Sequence, residues 1–237
     1  MRIFFTVILF LTFMFEGFSQ FKGKNFSVVV DGVYTTSARI YLNPNSSDPQ
    51  LRNNNFPMSD VFSYGVSIRY RISNSLLIAL GSEYMKAVET GANLTLFSGT
   101  GTRTIKVDDG FKLIPIEFSL YYILPFSTEN FKFTMGGGAG YYFGGMIRTF
   151  GDASVSSSVK KTAYGIHVMV AMDYFFINNI SLKSEMKFRD PQFSVTSRYN
   201  KQTVNYNGET LKLAQKEFDS KINVDGVTFV LGLAYHF

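Results

Sequence analysis

Eight ionisable side chains recur at alternate positions within otherwise apolar segments, where they could pair with one another or hold a charged group. They are Arg69, Arg71, Glu83, Glu117, Asp173, Lys183, Glu185 and Lys187. If their segments are successive strands, Arg69 meets Glu83, Asp173 meets Lys183, and Glu83 and Glu117 need a cation between them. Because an unpaired charge in a confined interior is costly, these residues are predicted to form a connected network that blocks ion flow.

The other residue types that carry chemistry are sparse. The chain has two histidines and no cysteine, which excludes disulfides and thiolate metal sites. His167 and His236 share the alternating polar face of their segments, where a hydrogen-bonded structural histidine is the simplest interpretation. No catalytic residue, no metal site and no cofactor is therefore assigned from the sequence.

Two loop-like motifs resemble ligand sites only superficially. Residues 136–140 read GGGAG, but the strand pattern continues through 141–143, so the helix that a phosphate-binding loop needs is missing. Glycines in such a strand relieve crowding. The acidic turns at 108–110 and 48–49 are interpreted as loop turns, with calcium binding as the alternative.

Composition points to a β protein. Of 237 residues, 16% are aromatic, with 25 Phe, 14 Tyr and no Trp. Phe and Tyr favour strands and membrane interfaces, although a Phe-rich soluble sandwich has the same composition. The net charge of +5 suits an anionic lipopolysaccharide surface. Since no basic patch with interleaved aromatics occurs, a nucleic-acid partner is not expected.

The N-terminus reads as a secretory signal peptide spanning residues 1–19. Arg2 precedes an uncharged apolar run at 3–15, and Gly17 and Ser19 are small residues placed for cleavage before Gln20. The run is short for a membrane-spanning helix, so an uncleaved anchor is the weaker alternative. Residues 20–237 would then form one β-barrel domain.

From residue 25 onward the dominant period is two, which is the period of half-buried strands. In residues 61–72, apolar side chains from Phe62 to Ile72 alternate with Ser, Gly and Arg. Residues 163–176 and 180–189 repeat the pattern. The pattern predicts eight strands at 25–41, 61–72, 76–90, 111–124, 131–148, 162–176, 180–195 and 219–237.

The connections between these strands alternate in length. The segments at 73–75, 125–130 and 177–179 are short and turn-like, whereas 43–60, 91–110, 150–161 and 196–218 are long and polar. This alternation is typical of an up-and-down transmembrane barrel with short periplasmic turns and long external loops. Strands of about ten residues also match the apolar band of such barrels.

Periodicity fixes two faces without saying which is outside, so a lipocalin-like soluble barrel remains the alternative. Aromatic residues gather near both strand ends, as in membrane girdles, but in a soluble barrel they would face inward. Three features favour an apolar outer face: the polar face is rich in Gly, Ala and Ser, it carries charges of both signs, and the chain closes on alternating Leu233, Tyr235 and Phe237. That ending looks like the C-terminal signature that barrel assembly machinery recognises.

Three motifs follow one another in the middle of the chain: IPI at 114–116, LYY at 120–122 and GGGAGYYFG at 136–144. Their order is similar to an "IP…YY…GxGxGYY" pattern in porin-like members of the small outer-membrane β-barrel family, typified by the OmpA transmembrane domain, OmpX and OmpW. The resemblance implies a monomeric barrel in the outer membrane of a Gram-negative-type envelope, with periplasmic termini. The implied partners are outer-membrane lipid, lipopolysaccharide and the barrel assembly machinery.

Three functions are compatible with these observations. The first is a non-enzymatic structural or surface-interaction barrel that uses long external loops. The second, implied by the OmpW-like resemblance, is a narrow conduit for small or apolar solutes. The third is a lipid-modifying enzyme, since some similar barrels act on lipid A. For that enzyme His167 lies on the wrong face for a deacylase, while Asp152 and Ser154 are candidates for a palmitoyltransferase-like site.

Overall fold

The computed structural model describes residues 24–98, 101–160 and 162–237, without the side chains of 92, 93 and 156–160. The predicted signal peptide and its cleavage site before Gln20 lie outside these residues. One short helix, α1, spans Pro49–Asn53. Within this part of the chain no helix has the length and apolar character needed to cross a bilayer.

Almost all of the described chain is β-strand. The strands are Phe26–Tyr41 (β1), Asn55–Arg71 (β2), Leu76–Ser98 (β3), Gly101–Ile123 (β4), Phe131–Phe150 (β5), Ala153–Lys160 (β6), Ala163–Ile177 (β7), Ile180–Arg189 (β8), Gln192–Tyr199 (β9), Thr203–Tyr206 (β10), Glu209–Lys212 (β11), Glu217–Asn223 (β12) and Val227–His236 (β13). They form one antiparallel sheet.

A closed ring of eight strands forms the body of the molecule, in the order β1, β2, β3, β4, β5, β7, β8 and β13. The last strand pairs with the first from Ser27 opposite His236 to Thr35 opposite Thr228, which closes the ring. The connections from β2 to β3, β4 to β5 and β7 to β8 are short and share one end, here called the turn end. The predicted all-β, up-and-down barrel of eight strands is confirmed.

The barrel continues at the opposite end, here called the extended end. There β6, β9 and β12 take the places of β7, β8 and β13, so that β5, β6, β9, β12 and β1 are paired in sequence around the wall. Along the chain, β6 is followed by β7, β8 by β9 and β12 by β13, each after a short break. The same ring therefore runs on for several further residues in every strand.

The prediction of long polar loops at this end is wrong for much of their length. The β2 strand begins at Asn55, β3 and β4 extend to Ser98 and Gly101, and residues 196–218 contain strands of their own. The period-two pattern is interrupted where backbone irregularities occur, at Asp60 with φ 54° and at a register shift beside Gly91. Such irregularities exchange the inward and outward faces and hide the continuing strands from a pattern analysis.

Large apolar side chains cover the outer face of the ring. Five of them, which are 48–60% exposed, are Val66, Ile68, Val168, Val170 and Leu231. The aromatic residues also face outward in pairs, with Phe131 and Tyr174 stacked near the turn end and Tyr141 against Tyr164 towards the extended end. A soluble barrel would bury these side chains, so that alternative is wrong and the faces are those of a transmembrane barrel.

The interior of the extended end is filled by apolar side chains. One cluster lies next to the charged part of the lumen, on its extended-end side; its fully buried members include Tyr142, Phe111, Ile40, Met58, Met85, Leu113 and Ile222. A second cluster lies nearer the end of the barrel and contains Leu96, Ile105, Val107, Phe150, Ala153, Tyr199, Val204, Leu211 and Leu213. The barrel therefore has a packed apolar core above a charged lumen.

Candidate functional site

The charged lumen is organised around Arg189 of β8, which reaches two carboxylates on the far wall. Its guanidinium donates two hydrogen bonds of 2.9 Å to Glu83 of β3 and one of 3.2 Å to Glu117 of β4. Ser63 donates to Glu83 and Tyr142 donates to Glu117 at 3.1 and 3.0 Å. Arg189 is thus the cation that these two glutamates require, and it lies outside the set chosen from the sequence.

A chain of lysines and carboxylates continues from this centre along β8. Lys187 donates to Glu117 at 2.7 Å and lies 3.6 Å from Glu185. Lys183 lies 3.1 Å from the other oxygen of Glu185, which also accepts a hydrogen bond from Tyr121. All of these side chains are buried. The β8 residues therefore cross-link β8 to β4 through the centre of the barrel.

A second centre lies towards the turn end. Arg69 of β2 makes a bidentate contact with Asp173 of β7, with its shortest N–O distance at 2.9 Å. The expected Arg69–Glu83 pair does not form, because Arg69 lies opposite Ala79 and Glu83 is four residues further along β3, a separation of about 13 Å. Lys183 lies opposite Asp173 in the β7–β8 register, yet its ion pairs are with Glu185 and Asp31.

Arg71 stands apart from both centres. It is half-buried near the turn end, and no ion pair involving it occurs among the described side chains. Two residues further along the chain from Arg69, it lies where the lumen opens. The structure therefore brings seven of the eight proposed residues into ion pairs and leaves this arginine at the mouth.

Asp31 is a buried carboxylate that the sequence analysis missed. Its Oδ1 atom lies 3.9 Å from Lys183 Nζ and has no hydrogen-bond partner in the described chain. It borders a cavity of about 40 Å³, also lined by Gly65, Gly81 and Glu185, which has room for a few water molecules.

Both histidines face the lumen and each contacts a serine. His167 Nε2 lies 2.8 Å from Ser119 Oγ, and His236 Nε2 lies 2.8 Å from Ser181 Oγ. The Nδ1 atom of His167 is buried without a hydrogen-bond partner among the described residues, so none of their carboxylates orients the ring as a hydrolase triad requires. The geometry of His167 and Ser119 is that of a buried structural hydrogen bond.

A separate buried ion pair lies between the two apolar clusters. Arg148 of β5 donates from Nε and Nη2 to both oxygens of Asp109 on β4, and from Nη1 to the hydroxyl of Tyr199 at 3.0 Å. Its guanidinium also lies over the Phe218 ring, 4.9 Å from the centroid. This pair ties β4 and β5 to β9 within the extended end.

The strands β10 and β11 form a hairpin, here called the cap hairpin, over the extended end. Its turn is Asn207-Gly208, both with positive φ, as the tight hairpin turn of this type requires. The buried side chains of Val204 and Leu211 enter the second apolar cluster. The cap hairpin therefore covers the top of the barrel interior.

One acidic residue attaches the cap hairpin to the β5–β6 turn. Asp152 accepts a hydrogen bond from Lys201 Nζ at 2.7 Å and another from the backbone N–H of Asn205 at 2.9 Å. These two hydrogen bonds hold the pKa of the Asp152 carboxyl below its ordinary value of 3.8. Gly151 beside it has φ 52°, and a Cβ there would lie 2.5 Å from the Asn205 carbonyl oxygen, so the close approach needs glycine.

The attachment is expected to weaken in acid. Because the pKa of Asp152 is lowered in the folded state, its contribution is present at neutral pH and is lost as the pH falls through that lowered pKa, below 3.8. Asp152→Asn should therefore increase hydrogen exchange of the cap hairpin at neutral pH and remove its acid dependence. Glu217→Gln, which alters an exposed pair with Arg198, is the matched control. Equal protection in wild type and Asp152→Asn would contradict this role.

The residues that the sequence analysis missed gave only weak signals. Arg189 continues the alternation of Lys183, Glu185 and Lys187, but its partners lie across the barrel on β3 and β4. Asp31 is a single acid within a valine-rich strand, where Val29 and Val33 flank it on the same face. In each case the sequence pattern shows only which face of the strand carries the residue. The distant side chain that the residue contacts is set by closure of the ring.

Comparison with solved structures identifies the fold. Over 91% of this chain and 97% of the other, the structure is similar to the outer membrane protein OprG from Pseudomonas aeruginosa, with a TM-score of 0.59 and 13% identity. A weaker similarity is to Neisserial surface protein A, with a TM-score of 0.48 and 17% identity over 90% of this chain and 97% of the other. Another is to the attachment invasion locus protein Ail of Yersinia pestis, with a TM-score of 0.46 and 10% identity over 91% of this chain and 100% of the other. No protein-family model and no curated sequence matches the chain. At this identity the likeness shows the transmembrane barrel fold alone.

Proposed function

We propose that this protein is a monomeric, non-enzymatic barrel of the outer membrane that holds a rigid, capped β-structure outside the bilayer as an interaction surface. The observation that carries the proposal is the filling of the barrel at three levels. A charge-paired lumen lies nearest the turn end, an apolar core fills the extended end, and the cap hairpin covers that end. Such an interior suits a scaffold rather than a pore.

The orientation proposed places the turn end and both termini in the periplasm. Short periplasmic turns and larger external structures are usual for barrels of this type. The outer face changes from apolar to polar on passing from the ring to the extended end, where Lys106, Thr104 and Thr102 point outward along β4. The proposed partners are outer-membrane lipid, lipopolysaccharide and the barrel assembly machinery. Leu233, Tyr235 and Phe237, exposed on the outer face of β13 and beside it, are proposed as the assembly signature.

The first test is ion conductance. Wild-type protein in planar bilayers is expected to show no steady current, because ion pairs cross the lumen at Arg189 and at Arg69. Glu117→Ala removes a partner of both Lys187 and Arg189 and should open a measurable conductance or destabilise the barrel. Glu217→Ala, in an exposed pair, is the matched control. Steady wild-type conductance would overturn the closed lumen.

The absence of catalysis is part of the same proposal. Ser119 and His167 are both buried in the lumen, where a lipid acyl chain has no access, and Asp152 is engaged by Lys201 and the cap hairpin. Mass spectra of lipid A from cells with and without the protein should therefore be identical. A change in the acylation pattern would favour the lipid-modifying enzyme instead.

A second candidate function is a narrow conduit for small or apolar solutes. It is favoured by one observation in the wall: within the described chain, residues 143–148 of β5 pair with β4 but have no ladder partner on the side of β6 and β7. This interruption lies beside the first apolar cluster, which contains Phe193 close to Gly144. Uptake of an apolar fluorescent solute into protein-containing liposomes, with no ion current, would support the conduit over the closed scaffold.

A further inference from the structure

A basic doublet lies on the outer face where the apolar ring gives way to the polar extension. Lys86 of β3 and Lys112 of β4 are direct cross-strand partners, and both are exposed. Their Cβ atoms should therefore be about 5 Å apart on the same face. Like charges placed directly opposite each other destabilise a sheet, so a bound anion would stabilise this arrangement.

The part of the protein that the structure describes does not supply such an anion. No ion pair to Lys86 or Lys112 occurs among the described side chains, whereas Arg39, Arg103, Arg198 and Lys201 of the extended end each have a carboxylate partner. Neighbouring outer-face acids are engaged elsewhere. Asp60 accepts a hydrogen bond from the Tyr34 hydroxyl and Asp108 accepts one from the Thr90 hydroxyl, each at 2.5 Å.

The surroundings of the doublet match a lipid headgroup at a membrane surface. One step towards the turn end along each strand lie Tyr84 and Ile114, which are exposed on the apolar face. On β5 the residue opposite Lys112 is Gly145, so no side chain covers that flank. The two ammonium groups thus stand at the boundary between the apolar band and water, beside an aromatic ring.

We propose that Lys86 and Lys112 bind a phosphomonoester headgroup of an outer-leaflet glycolipid. A phosphomonoester carries a charge of about −1.5 to −2 at neutral pH, which matches two ammonium groups, whereas a phosphodiester carries a single charge. The inference rests on the proposed outer-membrane location. Because vesicles can carry the lipid in both leaflets, its test does not depend on which way the barrel inserts.

The test compares lipid retention by folded protein in phosphatidylcholine vesicles that contain diphosphorylated lipid A. Native mass spectrometry would measure lipid bound to wild type, to Lys86→Gln/Lys112→Gln, and to Lys106→Gln. Lys106 is an exposed control on the same strand, six residues and about 20 Å further from the apolar band. With about 1 kcal/mol per lysine at a membrane surface, the double variant should bind on the order of thirtyfold more weakly, and Lys106→Gln should resemble wild type.

Two further arms identify the ligand. Dephosphorylated lipid A should be retained by wild type no better than by the double variant, and phosphatidylglycerol, with a single charge, should be retained by wild type less than diphosphorylated lipid A. Equal retention of diphosphorylated lipid A by wild type and the double variant would overturn the site. Equal retention of phosphatidylglycerol and diphosphorylated lipid A by wild type would overturn the phosphomonoester assignment. Neither result would alter the conductance test of the closed scaffold.

Discussion

Replacing Arg189 with alanine is expected to lower the free energy of unfolding in lipid bilayers by about 3–5 kcal/mol. The change leaves Glu83 and Glu117 buried without the guanidinium that bridges them, although Lys187 still contacts Glu117. An uncompensated buried carboxylate loses its hydration without regaining an ion pair, which is the physical reason for the large effect. Urea unfolding of the reconstituted protein, followed by gel mobility or circular dichroism, measures it.

Two further variants separate the loss of charge pairing from the loss of the side chain. Arg198→Ala removes an exposed arginine that pairs with Glu217 at 2.9 Å and should cost less than about 1 kcal/mol. Adding Glu83→Gln to Arg189→Ala removes one orphaned charge and should recover part of the stability. Equal losses for Arg189→Ala and Arg198→Ala would contradict the central place of Arg189 in the lumen.

The second large effect is expected on the outer face. Val168 lies near the middle of β7 on the apolar outer face and is 56% exposed. Val168→Arg places a guanidinium there and should lower the folding stability in bilayers by about 2–4 kcal/mol. The cost arises because a charge facing the hydrocarbon has neither water nor a counterion. Unfolding in phosphatidylcholine bilayers of defined thickness gives the measurement.

The matched control for this variant is Thr149→Arg. Thr149 is exposed on β5 at the extended end, where the outer face is polar, so an arginine there should change the stability by less than about 1 kcal/mol. Similar stabilities for Val168→Arg and wild type would mean that the outer face of β7 does not meet lipid.

The class of fold and the inward and outward faces of the ring strands can be derived from the amino-acid sequence alone. Strict alternation in segments such as 180–189 assigns each side chain to one of the two faces, because successive side chains of a strand point to opposite sides. Short turns between long strands then required neighbouring strands to be antiparallel, and charges of both signs on the small-residue face indicated an interior. These are local properties, so pattern analysis could find them.

The length of the strands beyond the ring was decided only in the folded molecule. Asp60 and Gly91 break the period of two, so the segment before Asp60 and the segment after Gly91 look like polar loops although they continue the wall. The cap hairpin was hidden for a similar reason: its strands of four residues gain their stability from burying Val204 and Leu211 in the barrel end. Short hairpins are marginal without such tertiary packing.

The partners within the lumen were likewise decided by tertiary structure. A strand pattern ranks neighbouring strands as partners and thus predicted Arg69 with Glu83, whereas the closed ring sets Arg69 against Asp173 and Arg189 against two carboxylates on the opposite wall. Long arginine side chains reach across the interior of a ring of eight strands, which is only as wide as its side chains. Which charges meet there depends on ring closure and stagger, quantities that no single segment of the sequence contains.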